Sequence, residues 1–216
     1  MPTAIVTGAS RGLGQALANG LADAGWTVVA DGRTIEAIEG ITTLRGDIRD
    51  PAHRAALVAA AKRVDLLVNN AGILGPSPQP PLADYPLSTL RDVFEVNVFA
   101  PLALTQLALP QLRVSGGAVV NVTSDAAVEA YEGWGGYGAA KAAVEQASHV
   151  LAAEEPDLRV WWVDPGDLRT QMHQEAFPGE DIGDRPLPET VVPAFLRLVW
   201  DRPASGRVRL SELAVA

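Results

Sequence analysis

Short apolar runs and helix-spaced apolar residues alternate along the chain. The runs predict strands over residues 3–6, 27–31, 41–45, 64–68, 118–122, 160–163 and 208–210. Between them, apolar residues at intervals of three and four predict helices over residues 12–24, 51–62, 88–112, 136–154 and 188–200. The central runs are apolar throughout, which is typical of parallel strands that are covered on both faces.

This order of elements predicts an α/β protein with a Rossmann-type, doubly wound parallel β-sheet flanked by helices on both faces. The proline-rich stretch 75–86 predicts a loop. Pro101 and Pro110 are expected to bend or shorten the helix that begins at Ser88. No repeat, linker or low-complexity stretch interrupts the pattern, so we expect a single domain over residues 1–216.

Composition argues against several classes of binding partner and of chemistry. The formal net charge of −9 argues against a nucleic-acid partner, because phosphate contacts need clustered Lys and Arg. The absence of cysteine excludes disulfides and thiolate chemistry. His53, His149 and His173 are scattered, so no metal site is expected. No uninterrupted apolar run reaches membrane-spanning length and no signal peptide is recognisable, which favours a cytoplasmic protein without a membrane partner.

A glycine-rich turn, Thr7-Gly8-Ala9-Ser10-Arg11-Gly12-Leu13-Gly14, follows the first strand. Glycines allow the backbone to approach a pyrophosphate, and the N-terminus of the following helix attracts negative charge. The spacing GxxxGxG differs from the GxGxxG of the common dinucleotide fingerprint. The turn indicates a nucleotide site, with strand-to-helix packing alone as the alternative. The candidate cofactor contacts in it are Gly8, Ser10, Arg11, Gly12, Leu13 and Gly14.

Further motifs follow in a fixed order. They are Asn69-Asn70-Ala71-Gly72, Asn97, Ser124, Tyr137-x-x-x-Lys141 and Pro165-Gly166-x-x-x-Thr170. Together with the glycine turn, this set resembles the short-chain dehydrogenase/reductase family over residues 1–170. Each motif is short, and the specificity of the resemblance comes from their joint occurrence in register.

Tyr137 and Lys141 can be interpreted from chemistry alone. Residues at i and i+4 share one helix face, so the ammonium is expected close to the phenol. The ordinary tyrosine pKa of about 10 is too high for proton exchange near neutrality, and a neighbouring cation is expected to lower it. Tyr137 can then give a proton to a carbonyl oxygen or take one from an alcohol. The alternative is a helix-start aromatic residue beside a solvated lysine.

The resemblance implies an NADP(H)-dependent oxidoreductase that interconverts a small-molecule carbonyl and an alcohol, with Tyr137 as general acid and base. Lys141 would also hold the nicotinamide ribose, Ser124 would orient the reacting oxygen, and Asn97 would fix a water that links Lys141 to solvent. The resemblance further implies a set of cofactor contacts on the later turns: Asn69, Ala71 and Gly72, then Asp47 and Ile48 near the adenine, then Pro165, Gly166, Leu168 and Thr170 near the nicotinamide.

The choice between NADP(H) and NAD(H) depends on Asp31. An acid at the end of the second strand normally binds the ribose 2′-hydroxyl of NAD. Aligned on Gly25, that position falls on Gly32, so Asp31 is one residue early and is expected on the other face of the strand. Arg11 and Arg33 suit a 2′-phosphate instead. We therefore favour NADP(H); an earlier end to the strand would let Asp31 reach the ribose and reverse the choice.

The substrate side is less defined. Substrate contacts are expected near the catalytic serine and in the segment 172–188, which begins with a short lid helix. Asp125 stands where a second small hydroxyl residue is common in the family. Tyr131 and Trp134 are candidate pocket walls, with aromatic packing as the alternative. His173 is expected in an exposed loop.

The last residues bear on assembly and on rival functions. Residues 206–216 supply only a short strand and an apolar end, which favours a homodimer through the helices after Ser88 and Tyr137 over a tetramer. A catalytically silent NAD(P)-binding regulator and an NAD-preferring dehydrogenase remain alternatives. A sugar epimerase or dehydratase of the extended subgroup would need a larger C-terminal region.

Overall fold

The computed structural model describes residues 1–213 and contains a seven-stranded sheet in which all paired strands are parallel. Its spatial order is β3-β2-β1-β4-β5-β6-β7. The strands are β1 Thr3–Val6, β2 Thr27–Gly32, β3 Ile41–Arg45, β4 Leu66–Asn69, β5 Ala118–Val122, β6 Arg159–Asp164 and β7 Gly206–Arg209. This confirms the predicted doubly wound parallel sheet.

Helices cover both faces of the sheet. They are α1 Gly12–Asp23, α2 Pro51–Ala61, α3 Leu87–Phe94, α4 Ala100–Ser115, α5 Gly135–Glu154, α6 Gln171–Ala176 and α7 Val192–Asp201. One core cluster joins α1 and α7 to one sheet face through residues such as Leu17 and Phe195. A second joins α2 and α4 to the other face through Leu57 and Leu104. The alternate side chains of the buried strands supply both cores.

Element boundaries differ from the sequence expectation at four strands, including β6, which extends one residue further at each end, over Arg159–Asp164. β2 runs to Gly32, one residue beyond the predicted end, and β4 begins two residues late, at Leu66. β7 lies at Gly206–Arg209 instead of 208–210, because its register is set by pairing with β6 from Trp161 to Asp164. The apolar end 214–216 lies outside the described residues.

The helix that begins at Leu87 does not end at either proline. It passes from α3 through a π-helical turn at Glu95–Phe99 directly into α4. Pro101 has no N–H to give to the carbonyl of Asn97 four residues earlier, which accounts for a change of hydrogen-bond pattern at this point. Pro110 lies inside α4 without ending it.

The same continuous helix, Leu87–Ser115, is long and apolar enough to cross a membrane by length and composition. The expectation that no segment has membrane-spanning character was therefore wrong at this segment. In the structure 44% of its apolar window is buried inside the protein, with Leu104, Ala108 and Leu112 in the core. This packing is that of a core helix.

The chain order places a crevice at the carboxyl ends of β1 and β4. These strands are neighbours, and the chain leaves them toward opposite sides of the sheet. In open α/β sheets ligands bind at such a switch point. The glycine turn follows β1 at this edge, and the segment Asn70–Gly75 follows β4.

Candidate active site

A cleft of about 1020 Å³ runs along the carboxyl edge of the sheet. One end is formed by the glycine turn and by the segments after β2 and β3, which we call the cofactor side. The other end is formed by Ser124, Asp125, Trp134, Tyr137 and α6, which we call the substrate side. Most of the residues that the sequence marked as candidates therefore line one cavity.

The glycine turn is packed too closely for larger residues. A Cβ on Gly14 would overlap the carbonyl oxygen of Gly8 and the side-chain nitrogen of Asn70. Asn70 donates from that nitrogen to the carbonyls of Thr7 and Gly8, at 2.9 and 3.2 Å. The Thr7 hydroxyl accepts from the backbone N–H groups of Asn70 and Ala71, both at 3.0 Å. These contacts tie the glycine turn to the segment after β4.

Asp31 is buried beneath this turn, with 1% of its surface exposed. One carboxylate oxygen accepts from the backbone N–H of Gly8 at 2.8 Å, and the other lies 3.0 Å from Nε2 of His53. Burial raises the pKa of the Asp31 carboxyl above its ordinary value. The side chain is thus engaged by the protein itself. Gly32 follows it against Ser10, whose hydroxyl a Cβ would overlap.

Two arginines border the same end of the cleft. Arg11 and Arg33 line it, are exposed, and form no ion pair with another described residue. Nearby, Arg49 donates to both oxygens of Asp47, which lowers the pKa of Asp47 to about 2. Ile48, the next residue, is buried and also lines the cleft.

Of the residues at the end of β4 and just after it, some line the cleft and one lies beneath it. Ala71 and Gly72 line the cleft as expected. Asn69 lies beneath it: its amide nitrogen donates to Asn121 at 2.8 Å and to Thr105 at 3.1 Å. The Asn69 side chain thus joins β4 to β5 and α4, and the predicted cofactor contact of Asn69 stays a prediction.

The segment after β6 lines the far part of the cleft, with Pro165, Gly166, Leu168 and Thr170. Asp164 orients this turn, because its Oδ1 accepts from the N–H of Gly166 at 3.0 Å. The Thr170 hydroxyl caps α6 by accepting from the N–H of His173 at 3.2 Å.

Tyr137 and Lys141 are adjacent and almost fully buried, at 8% and 5% exposure. The Lys141 Nζ atom lies 5.4 Å from the centre of the Tyr137 ring and donates to the carbonyl of Val122 at 2.8 Å. The predicted proximity of the two groups is therefore present, at the start of α5.

The electrostatic expectation for this pair was wrong in direction. Burial raises the pKa of Tyr137 above its ordinary value, and the carboxylates of Asp125 and Asp164 raise it further. Burial also lowers the pKa of Lys141 to about 8, so this amine loses its charge at a lower pH than an ordinary lysine. Desolvation is the main cause of both shifts. Helical spacing predicts that the two side chains are adjacent, but it does not predict how deeply both are buried.

The Ser124 hydroxyl is held by its neighbour. It donates to Oδ1 of Asp125 at 2.9 Å and accepts from the N–H of Ala126 at 3.2 Å. The second oxygen of Asp125 accepts from the Tyr131 hydroxyl at 2.9 Å. Ser124 and Asp125 both line the cleft.

Asn97 lies in the π-helical turn, 2% exposed. Its side-chain oxygen accepts from the N–H of Ile73, and its nitrogen donates to the carbonyl of Ile73, both at 2.9 Å. Through this pair of bonds Asn97 fixes the segment that follows Gly72. The side chain of Asn97 is therefore a positioning group; the water-holding role expected of Asn97 stays a prediction.

An ionic network behind the site has no counterpart in the sequence expectations. Arg207 on β7 donates to Glu145 at 3.0 Å, to Asp164 at 3.1 Å and to the carbonyl of Ser124 at 3.1 Å. Glu145 lies one turn beyond Lys141 on α5 and also accepts from Thr123 at 2.8 Å. One guanidinium thus joins Ser124, the helix of Tyr137 and the turn after β6. A single arginine on an edge strand gives no local signal of such a role.

Aromatic side chains surround the substrate side. The ring of Trp134 lies 5.8 Å from that of Tyr137 and 5.9 Å from that of Phe177, and Tyr131 lies 6.4 Å from Trp134. His173, expected in an exposed loop, is instead half-buried in α6, with its ring 4.9 Å from Phe177. Among residues 1–213, no group of three or more acidic or histidine side chains is placed to hold a metal ion.

Comparison with known proteins identifies the class. The short chain dehydrogenase family model matches residues 2–181. The chain therefore belongs to the short-chain dehydrogenase family, whose members are oxidoreductases acting on CH–OH and C=O groups.

Individual relatives agree over almost the full length. The chain is 33% identical to an uncharacterised oxidoreductase, YciK, of Escherichia coli, covering 91% of this chain and 85% of that one. It is 34% identical to serine 3-dehydrogenase of Agrobacterium fabrum, with 98% and 92% covered. A short chain dehydrogenase from Shigella flexneri, solved in complex with NADP, superposes with a TM-score of 0.87 at 29% identity and covers 97% of each chain.

Proposed function

We propose that the chain is an NADP(H)-dependent oxidoreductase that interconverts a small aldehyde or ketone and its alcohol, with Tyr137 as general acid and base. The observation that carries the proposal is the shared cleft. The glycine turn forms one end of it, and Ser124, Tyr137 and Lys141 border the other. A dinucleotide bound along this cleft would bring its nicotinamide to the catalytic residues.

The residues present fit that cofactor. The close packing of Gly14 against Gly8 leaves the backbone of the turn open to a pyrophosphate at the start of α1. Ala71 and Gly72, the Asp47–Ile48 pair, and Pro165, Gly166, Leu168 and Thr170 would hold the rest of the dinucleotide. When bound, the reduced nicotinamide supplies the hydride for the carbonyl carbon.

The protein's own residues then handle the proton. The phenol of Tyr137, with its raised pKa, is protonated at neutral pH, as that of an ordinary tyrosine is, and can donate to the oxygen of a carbonyl that is being reduced. Lys141, held by the Val122 carbonyl, would replace the proton and bind the ribose hydroxyls. Ser124 would orient the reacting oxygen, and Asn97 would keep the segment after β4 in place.

Two observations support NADP(H) over NAD(H). Asp31, the acid nearest the family's ribose-binding position, is engaged by Gly8 and His53. Arg11 and Arg33 are exposed at that end of the cleft and form no ion pair with described residues, so they can bind a 2′-phosphate. The Shigella flexneri relative in complex with NADP has the same fold. An NAD-preferring dehydrogenase is the alternative.

The deciding experiment measures NADPH and NADH oxidation with a panel of aldehydes and ketones, for the wild type and Tyr137→Phe. We expect turnover with NADPH, and a loss of at least about a hundredfold in kcat for the variant. NADPH binding, followed by nicotinamide fluorescence, should be retained in the variant. A protein that binds NADPH and reduces none of the carbonyls would instead be the catalytically silent regulator.

We also propose a cytoplasmic homodimer, with a tetramer as the alternative. Apolar side chains on the outer faces of α4 and α5 support the interface, since they are exposed in the single chain: Leu102, Leu107 and Val114 on α4, and Val150 on α5. The cysteine-free sequence suits a reducing compartment.

A further inference from the structure

Asp125 is a carboxylate on the substrate side that lacks a cationic partner. It forms no ion pair with any other described residue. Its contacts are three neutral donors: the Ser124 hydroxyl and the Ala126 N–H on Oδ1, and the Tyr131 hydroxyl on Oδ2. A carboxylate can accept about four hydrogen bonds, so Oδ2 has capacity for one more donor.

The other acids that line this side differ from Asp125. Asp164 is neutralised by Arg207 at 3.1 Å, and Asp167 lies 3.9 Å from Arg185. Glu175 is exposed at the rim, where it accepts from Gln171 at 2.8 Å. Only Asp125 among these is bonded directly to a catalytic group, so its charge lies closest to the reacting centre.

The arginines and the lysine that line the cleft do not pair with Asp125. Arg11, Arg33 and Arg49 belong to the cofactor side. Lys141 donates to the Val122 carbonyl at 2.8 Å. His173 on α6 also lines the substrate side, and its Nδ1 lies 3.8 Å from Asp167. An anionic substrate would therefore meet Asp125 without an arginine or an uncommitted lysine to bind it.

Aromatic rings complete the environment. Trp134 lies between Tyr131 and Tyr137, with ring centres 6.4 and 5.8 Å away, and Tyr131 carries the hydroxyl that binds Asp125. The negative faces of aromatic rings attract cations, and the attraction grows where water is excluded. A carboxylate beside such rings is a combination that binds ammonium groups.

We propose that the carbonyl substrate carries a protonated amine close to its reacting carbon. Asp125 binds this ammonium, while the Ser124 hydroxyl turns from Asp125 to donate to the carbonyl oxygen. The inference rests on the proposed function, because it places the carbonyl at Ser124. Asp125 Oδ1 is 2.9 Å from Ser124 Oγ, so one further hydrogen bond at each end keeps the ammonium and the reacting oxygen at most about 9 Å apart. This limit admits α- and β-amino ketones and the corresponding amino alcohols, whose nitrogen and oxygen atoms lie closer than that.

The test compares two ketones of the same shape. Dimethylaminoacetone, assayed below the pKa of its amine, is cationic; methyl isobutyl ketone replaces its nitrogen with carbon and is neutral. The measured quantity is the ratio of kcat/KM for the cation to that for the neutral ketone, with NADPH as reductant. Dividing the wild-type ratio by the variant ratio cancels the difference in intrinsic carbonyl reactivity.

In Asp125→Asn we expect this ratio to fall by about tenfold or more, as for the loss of one charged hydrogen bond. Asp125→Ser, with the small hydroxyl residue common in the family, should lower it similarly and serves if the first variant folds poorly. Glu132→Gln removes one charge from an exposed residue outside the cleft lining, and should leave the ratio within about twofold.

The outcomes separate the two proposals. Reduction of both ketones with the same ratio in wild type and Asp125 variants would overturn the inference and leave the proposed function standing. So would a wild-type preference for levulinate, an anionic ketone. A preparation that binds NADPH but reduces no carbonyl at all would overturn the proposed function, and the inference with it.

Discussion

The carboxylate of Asp31 accepts a 2.8 Å hydrogen bond from the backbone N–H of Gly8. The other oxygen of the same carboxylate lies 3.0 Å from Nε2 of His53. The acid at the end of β2 therefore shapes the glycine turn, and the position that follows it is Gly32. In the proposed NADP(H) complex the ribose end of the cleft is bordered by the exposed Arg11 and Arg33.

The first prediction follows for Arg33. Arg33→Ala should raise KM for NADPH by about tenfold, because one charge-assisted hydrogen bond to a 2′-phosphate is lost. KM for NADH, which has no such phosphate, should change by less than about twofold. Initial rates with both cofactors measure the effect. Arg91→Ala, on an exposed face of α3 outside the cleft, is the matched control; an equal rise in both KM values for Arg33→Ala would count against NADP(H).

Asp31 also shows which structural features could be predicted from the sequence and which could not. Counting from Gly25 placed it one residue before the family's acidic position, and that register is a local property. Its partners were not predictable, since His53 comes from α2 and Gly8 from the turn after β1. The apolar runs likewise predicted every strand, while the edges of β4 and β7 shifted because pairing with neighbours sets them.

Tyr137 and Lys141 show the same difference between what the local sequence predicts and what only the tertiary structure determines. Helical spacing predicted that Lys141 lies beside Tyr137, and the 5.4 Å contact is present. The direction of the tyrosine pKa depends on burial and on Asp125 and Asp164, which only the tertiary structure supplies. The role of Arg207 was missed for the same reason, because all its partners are distant in sequence.

Gly14 is the basis of a second prediction. Gly14→Ala places a methyl group into the Gly8 carbonyl and the Asn70 side chain, so the turn must open. We expect the free energy of unfolding to fall by about 1–3 kcal/mol, as in other overpacked sites, and NADPH affinity to fall with it. Urea denaturation and NADPH titration measure the two effects. Gly206→Ala, where a Cβ would have no neighbour within 4 Å, should change stability by less than about 0.5 kcal/mol.

A third prediction concerns pH and Lys141. The folded protein lowers the pKa of this amine from 10.5 to about 8. Between those values the unfolded chain binds more protons than the folded one, so the free energy of unfolding rises with pH in this window. From about pH 7 to about pH 9 the wild type should gain on the order of 1 kcal/mol relative to Lys141→Met. Parallel pH profiles of urea unfolding for the two proteins would contradict the assignment.

The proposed dimer gives a fourth prediction. Leu107 on α4 and Val150 on α5 are about half exposed in the single chain. Leu107→Glu and Val150→Glu should shift the protein from dimer to monomer in light scattering after size exclusion, because a charge would be buried in an apolar interface. Leu187→Glu substitutes an equally exposed leucine on another surface and should leave the dimer intact. A wild type that is monomeric at assay concentrations would refute the interface.

The last prediction concerns Arg207. Its guanidinium holds the Ser124 carbonyl and, through Asp164, the Gly166 turn, so its loss should displace both the serine and the nicotinamide contacts. We expect Arg207→Met to lower kcat by about tenfold to a hundredfold, because small misplacements of reacting groups are costly. Arg207→Lys should recover part of the rate by restoring the charge but not the three-way geometry.

A purely structural role for Arg207 would have a different signature. If the residue only stabilised the fold, Arg207→Met would lower the amount of folded enzyme and the melting temperature, while kcat per folded molecule stayed unchanged. Arg209→Met is the control, since Arg209 approaches the same Asp164 at 3.5 Å from a more exposed position without touching Ser124. Active-site titration with NADPH normalises the rates. Because Arg207 alone bridges the serine, α5 and the β6 turn, a kcat defect confined to its variants would show that β7 positions the catalytic groups.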